Sequence, residues 1–291
     1  MDILTNYTFQ IVALGSVILA VAAAPVGAFS VYKGQSLIGD AIGHSTFPGI
    51  ILAYMAFATR SPVILLAGAI LAGAASYALI QLAHRDKRLG LDANLAIFLS
   101  GFFGLGMALK SFIQGNPDYA GASQAGLGTY IFGQAAYMLE ADVLLIAAVS
   151  SLVLTLLLLF YKELKLFVFD AEYAEVVGLP CRLLNLLLLV MTIAVIGIGI
   201  KAVGAILISS FLIIPCVAAN QWSNNFARVL LLSSLIGAVS ALVGTYISTL
   251  EQGMSTGPSI ILVASLIAFF SIVFGTKGIL GRVLKRRRTH G

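Results

Sequence analysis

Apolar runs of about 20 residues recur from one end of the chain to the other, separated by short polar or charged stretches. That is the length of helix needed to cross the hydrocarbon of a bilayer, about 20 residues. The pattern predicts an all-α polytopic membrane protein with about nine spans. They fall at about residues 8–31, 36–57, 62–83, 93–113, 141–161, 183–200, 203–220, 229–249 and 256–275. Glycine and proline recur inside them, as in Pro25, Gly101, Gly104 and Gly106, which suits helices that pack closely in lipid.

Composition sharpens this picture. Of the 291 residues, 60% are hydrophobic and 10% are charged, against about 25% charged in an ordinary soluble protein. No polar segment is long enough for a separate soluble domain, so residues 1–291 read as one transmembrane domain. Met1 to Thr8 contains Asp2 but no lysine or arginine. A cleaved signal would start basic, so the first run is expected to remain as a span.

The charges orient the chain. The run Lys285-Arg286-Arg287-Arg288, in a basic tail over 277–291, belongs in the cytoplasm. Counting back through nine spans puts the N-terminus outside. Of the 17 lysines and arginines, only Arg60, Lys110 and Lys201 then lie outside. The net charge of +5 therefore reflects topology rather than nucleic-acid binding.

Two loops are more than connectors. Residues 114–140 are rich in Gly and Ala and carry Asp118 and Glu140. A stretch of this length is expected to fold as a re-entrant or interfacial element. Residues 162–182 contain Asp170 as a good N-cap, with Glu172 in the following turn and Gly178 and Pro180 as stops. This predicts a short cytoplasmic helix of about two turns. So short a helix is marginal alone, so something must pack against it.

The chemistry concentrates in Gly39-Asp40-Ala41-Ile42-Gly43-His44-Ser45-Thr46-Phe47-Pro48-Gly49. Asp40 and His44 are one helical turn apart, so their Cβ atoms lie about 5–6 Å apart on one face. Asp40 as a simple helix cap and His44 as a packed core histidine are the alternatives. Burying an aspartate in a span costs about 2.5–3.5 kcal/mol, and two ionisable groups on one face mark an ion pathway. Pro48 removes the amide that would bond the His44 carbonyl, so a kink or hinge is expected there, as at Pro215 in the seventh span. Counting from residue 36, the pair would lie about 6–12 Å in from the cytoplasmic end. A site served from outside should lie deeper.

Other chemistries are missing. The chain has no G-x-x-x-x-G-K-[ST] phosphate loop. Its histidines are His44, His84 and His290, with no H-E-x-x-H. Cys181 and Cys216 are too far apart in depth to pair, and Cys216 reads as a small buried residue.

Five blocks, in order, carry a resemblance: GDAIGHSTFPGIILAY at 39–54, SQAGLGTYIFGQAA at 123–136, FDAEYAEVVGLP at 169–180, KAVGAILISSFLIIPCVAA at 201–219 and STGPSIILVAS at 255–265. The chain resembles the membrane permease subunit of bacterial zinc/manganese ABC importers. The resemblance implies a multi-pass protein of the bacterial cell membrane that forms a dimer with a second copy or a related permease. It implies two copies of a separate P-loop ATPase on the cytoplasmic face and an extracytoplasmic metal-binding protein outside. Mn²⁺ or Zn²⁺, or iron, would be the transported substrate, with no permanent cofactor and no enzymatic activity in this chain. It implies that Asp40 and His44 coordinate the metal. It also implies that Asp170, Glu172, Tyr173, Glu175, Val176 and Gly178, on a coupling helix at about 170–180, meet the ATPase. Gly43 stands where the family commonly has serine, and Cys216 where it commonly has alanine. The competing readings are a stand-alone cation channel or proton-coupled transporter, and an ABC permease for a metal chelate.

Overall fold

A computed structural model of the protein describes residues 6–59, 61–84, 90–116, 119, 138–250 and 254–280. These fold into eleven helices. In chain order they are α1 (Tyr7–Tyr32), α2 (Ile38–Phe57), α3 (Pro62–His84), α4 (Leu91–Gly115) and α5 (Glu140–Leu159), followed by α6 (Tyr161–Phe169), α7 (Ala171–Val176), α8 (Cys181–Val203), α9 (Ala205–Asn220), α10 (Phe226–Leu250) and α11 (Thr256–Phe274).

Each of the nine predicted spans finds a helix. Seven are long and apolar enough to cross a membrane, and α9 is a shorter apolar helix. The ninth, α2, has 20 residues and owes its lower hydropathy to Asp40, His44 and their polar neighbours. The basic loop at 85–88, most of segment 114–140 and most of the tail lie outside the described residues.

The middle of the bundle is α1. Leu19, Ala20, Ala22, Ala23, Ala24, Val26, Ala28 and Phe29 are all fully buried. Small side chains let its neighbours come close. A Cβ on Gly27 would sit 1.9 Å from the Leu212 carbonyl oxygen, so α1 and α9 meet backbone to backbone. The same device joins α2 to α3, where a Cβ on Gly49 would stand 2.2 Å from the Gly68 oxygen. By contrast α4 is largely uncovered, exposing Ile97, Leu105, Met107 and Phe112.

Successive spans alternate in direction. At one end Tyr7 Oη donates to Glu140 Oε1, and Ser248 Oγ donates to Thr256 Oγ1. At the other, Tyr32 Oη and Lys277 Nζ both donate to Asn220 Oδ1, at 2.9 and 3.2 Å. This second end carries α6 and α7. The rings of Phe29, Tyr32, Tyr161, Phe169 and Phe226 interlock there, with Phe29 and Phe226 edge to face at 4.9 Å.

Helix α6 departs from the sequence expectation, which had a single short helix in 162–182. The backbone turns at Phe160 (φ −99, ψ 20) and starts a new helix at Tyr161. Leu164 and Phe167 face the bundle, while Lys162 and Lys165 are exposed. The α6 face is thus amphipathic, and its apolar side closes the end of the bundle.

Candidate metal site

Asp40 and His44 share one face of α2, as their spacing requires. His44 Nε2 lies 3.5 Å from Asp40 Oδ1, with the side chains 17% and 32% exposed, respectively. Asp40 is not the helix cap. Leu37 holds that position with no side-chain cap bond, and Asp40 sits in the first turn. There the N-terminal end of the helix dipole favours a carboxylate.

The pair lies deeper than counting along the sequence suggests. Gly73 is the middle residue of α3, a helix of 23 residues. A Cβ there would stand 3.2 Å from Ile42 Cγ2 and 3.4 Å from Thr46 Cγ2. Phe103 is the middle residue of α4, a helix of 25 residues. Its ring meets the His44 ring at 5.0 Å between centroids. The pair is therefore level with the centres of both neighbouring spans. The reason is that α2 starts recessed. Gly34 (φ +74) ends α1, the Gln35 amide returns to the Ser30 carbonyl at 2.9 Å, and the Ile38 amide bonds the Gln35 carbonyl at 3.1 Å. The turn folds back into the bundle before α2 begins.

Neighbouring polar groups are committed elsewhere. Ser45 Oγ donates to the Ala41 carbonyl at 2.6 Å and lies 2.7 Å from Ser76 Oγ on α3. Thr46 Oγ1 donates to the Gly43 carbonyl at 2.7 Å. Gly43 faces α9, where an added Cβ would come within 3.2 Å of Ser209 Oγ. Among the described residues no third Asp, Glu, His or Cys joins Asp40 and His44. One copy of the chain thus offers one oxygen donor and one nitrogen donor, fewer than the four to six that a divalent transition metal takes.

The two prolines sit inside continuous helices. The helix α2 runs through Pro48 and α9 through Pro215, and both prolines are buried. Both cysteines are free and buried.

The remaining predicted residues gather at α7, far along the chain from the pair. Asp170 Oδ1 accepts the Tyr173 amide at 2.9 Å, the cap its sequence predicts. Gly178 adopts φ +86, a conformation that favours glycine, and ends the turn. Its amide bonds the Glu175 carbonyl, and the Leu179 amide bonds that of Ala174, both at 3.0 Å. Only Ala174 of this helix is buried. Glu172, Tyr173, Glu175, Val176 and Gly178 are exposed, with Val176 at 83%.

Three features escape sequence reading: Phe103 beside His44, the helix α6, and a polar cluster around Lys33. The first and third join residues distant in sequence, and no local pattern announces them. One spelling, Gly253-Met254-Ser255-Thr256-Gly257, does match G-x-S-x-G. Ser255 merely precedes α11, and the described residues hold no strand to make the strand-to-helix elbow of a hydrolase.

The model of the ABC 3 transport family matches residues 5–275. The chain is 39% identical to the zinc transport system membrane protein TroC of Treponema pallidum, over 99% of this chain and 96% of that one. It is 38% identical to the manganese transport system membrane protein MntC of Bacillus subtilis, over 96% of this chain and 65% of the longer relative. The fold matches PsaBC from Streptococcus pneumoniae, solved in complex with Fab, with a TM-score of 0.84 at 26% identity, covering 98% of this chain and 96% of that one.

Proposed function

The chain belongs to the ABC 3 transport family, and on that premise we propose that it is the permease subunit of an ATP-driven importer of divalent transition metals, manganese or zinc. It is a multi-pass protein of the bacterial plasma membrane. The observation that carries the reading is the Asp40–His44 pair, 3.5 Å apart on a helix level with the middle of its neighbours. A carboxylate oxygen and an imidazole nitrogen suit Mn²⁺, Fe²⁺ and Zn²⁺ alike. Affinity of such donors rises from Mn²⁺ to Zn²⁺, so the choice of metal rests on geometry and on the protein that delivers it.

In this reading an extracytoplasmic metal-binding protein releases the ion over the axis between two permease copies. Each copy contributes Asp40 and His44, so two copies together supply four donors where one supplies two. The ion leaves when the copies rock and the two half-sites separate, with Pro48 and Pro215 as hinges in their helices. Movement comes from two copies of a P-loop ATPase seated on Asp170, Glu172, Tyr173, Glu175, Val176 and Gly178 at the cytoplasmic end. The whole of residues 1–291 serves as one transmembrane domain, with its basic tail on the same side as α7.

The test is uptake of Mn²⁺ and of Zn²⁺ into vesicles that hold the chain with its copurified ATPase. Uptake should require ATP and the binding protein, and each metal should compete with the other. Uptake that proceeds without ATP overturns the reading in favour of a channel or a proton-coupled carrier.

A further inference from the structure

One half-buried charge has no part in the transport path proposed for Asp40 and His44. Lys33 follows the last residue of α1, and burial pushes its ammonium pKa down to about 8. Among the described residues no carboxylate pairs with it. Its Nζ instead donates to Asn185 Oδ1 at the start of α8 and stands 4.8 Å from the centre of the Phe167 ring on α6. Asn185 Nδ2 in turn donates to Tyr77 Oη on α3 at 2.8 Å, and Gln81 Nε2 donates to the same oxygen at 2.7 Å. Beside them lies a cavity of about 10 Å³ lined by Ser30, Gln35, Ile38, Tyr77 and Asn185, enough for about one water.

The placement is what matters. The residues that hold Lys33 flank α7: Phe167 precedes it and Asn185 follows it. On its other side, Lys33 leads within one tight turn to α2. That turn is pinned by the bonds at Gln35 and Ile38 described above, so it has little slack to absorb a pull. A neutral amide oxygen and an aromatic face hold an ammonium only while α6 and α8 keep their spacing. If the two part, the amine exchanges both for water on a flexible four-carbon stem. The structure shows the first arrangement, with Nζ on Asn185 and Phe167; a contact that can be exchanged for water in this way is the kind that passes a movement on rather than damping it.

We propose that Lys33 is a positioning residue for transport, the link through which movement of the α6–α8 corner reaches the helix that carries Asp40 and His44. This rests on the reading that an ATPase docks at α7.

The test uses the full complex with its ATPase in vesicles, comparing the native chain with Lys33→Met and Lys33→Arg. Methionine keeps the length and removes the charge and the donor. Lys33→Met should copurify with the ATPase, bind Mn²⁺ with native affinity and hydrolyse ATP at a near-native rate. Its Mn²⁺ uptake per ATP should fall about tenfold, within the range of typical coupling free energies. Lys33→Arg, which keeps the donor and the cation over the ring, should recover most of that ratio. Unchanged uptake per ATP in Lys33→Met overturns the proposal. So does a proportional fall of uptake, hydrolysis and thermal stability, which marks a structural role alone. Should Lys33→Met fail to assemble, Asn185→Leu and Phe167→Leu probe the same contacts from the other side, with the same two outcomes deciding. A native chain that captures no P-loop ATPase overturns the functional reading itself, and the link with it.

Discussion

The ring of Phe103 stands edge to face with the imidazole of His44, their centroids 5.0 Å apart and their planes at 83°. It leaves one side of the imidazole facing apolar surface and fixes the ring where its Nε2 approaches Asp40. Such aromatic pairs contribute about 0.5–1.5 kcal/mol beyond burial. Phe103→Leu should therefore weaken Mn²⁺ binding by about two- to tenfold and leave assembly intact. Titration calorimetry on the purified chain checks this, and native affinity would assign Phe103 to packing alone.

The proposed ligands themselves should behave differently. Asp40→Ala or His44→Ala should abolish metal uptake while the variant still assembles with the ATPase, because neither side chain is near α7. A transport assay beside a pull-down reads both. Normal uptake by either variant rejects the site.

Close backbone approach sets the position of α2 against α3. A Cβ on Gly49 would stand 2.2 Å from the Gly68 oxygen and 2.5 Å from the Ala72 Cβ. Gly49→Val has nowhere to go without parting the helices, and overpacking of this kind costs about 1–3 kcal/mol or more. Detergent-solubilised protein should melt several degrees lower, and a native melting curve would mean the crossing is looser than drawn.

Val176 makes few contacts within the chain, being 83% exposed on α7. Val176→Asp should leave the melting temperature unchanged, since surface substitutions stay within about 0.5 kcal/mol. It should sharply reduce capture of the ATPase, because a charge would enter an apolar contact. Full capture by this variant moves the docking surface elsewhere.

The half-buried Lys33 predicts a pH dependence. Its pKa is lowered from 10.5 in the unfolded chain to about 8 in the folded one. Between those values the unfolded chain binds the extra proton, so stability rises with pH across that window. Melting curves from pH 8 to 10 should show a gain in the native chain that Lys33→Met lacks. Equal slopes in the two proteins would place the amine in water.

Much of this was legible in the sequence, for physical reasons. Spans announce themselves because lipid demands long apolar runs, and Asp40 with His44 stands out because charge is costly there. The caps at Asp170 and Gly178 are local chemistry and read directly. Depth is not local. Counting from residue 36 put the pair near the end of its span, whereas it stands level with the middles of α3 and α4, because nothing in Lys33-Gly34-Gln35-Ser36-Leu37 says that the turn folds inward. Helix α6 was missed for a similar reason: YKELKLFVF continues an apolar run, and only packing against Phe29 and Phe226 shows where it breaks. The Phe103–His44 and Lys33–Asn185 contacts join distant segments, which periodicity cannot see.

The recessed start of α2 has a consequence for the unloaded carrier. In the proposed importer Asp40 stands, between deliveries, level with the middle of its neighbouring spans and with no metal ion to answer it. The first turn of a helix is where the aligned peptide dipoles offset part of that cost, by about 0.3–1 kcal/mol at surface sites and up to about 2 when partly buried. The same dipoles repel an arriving cation. The fold thus makes waiting cheaper and grip weaker at once, which is the balance wanted in a protein that must hand its cargo on.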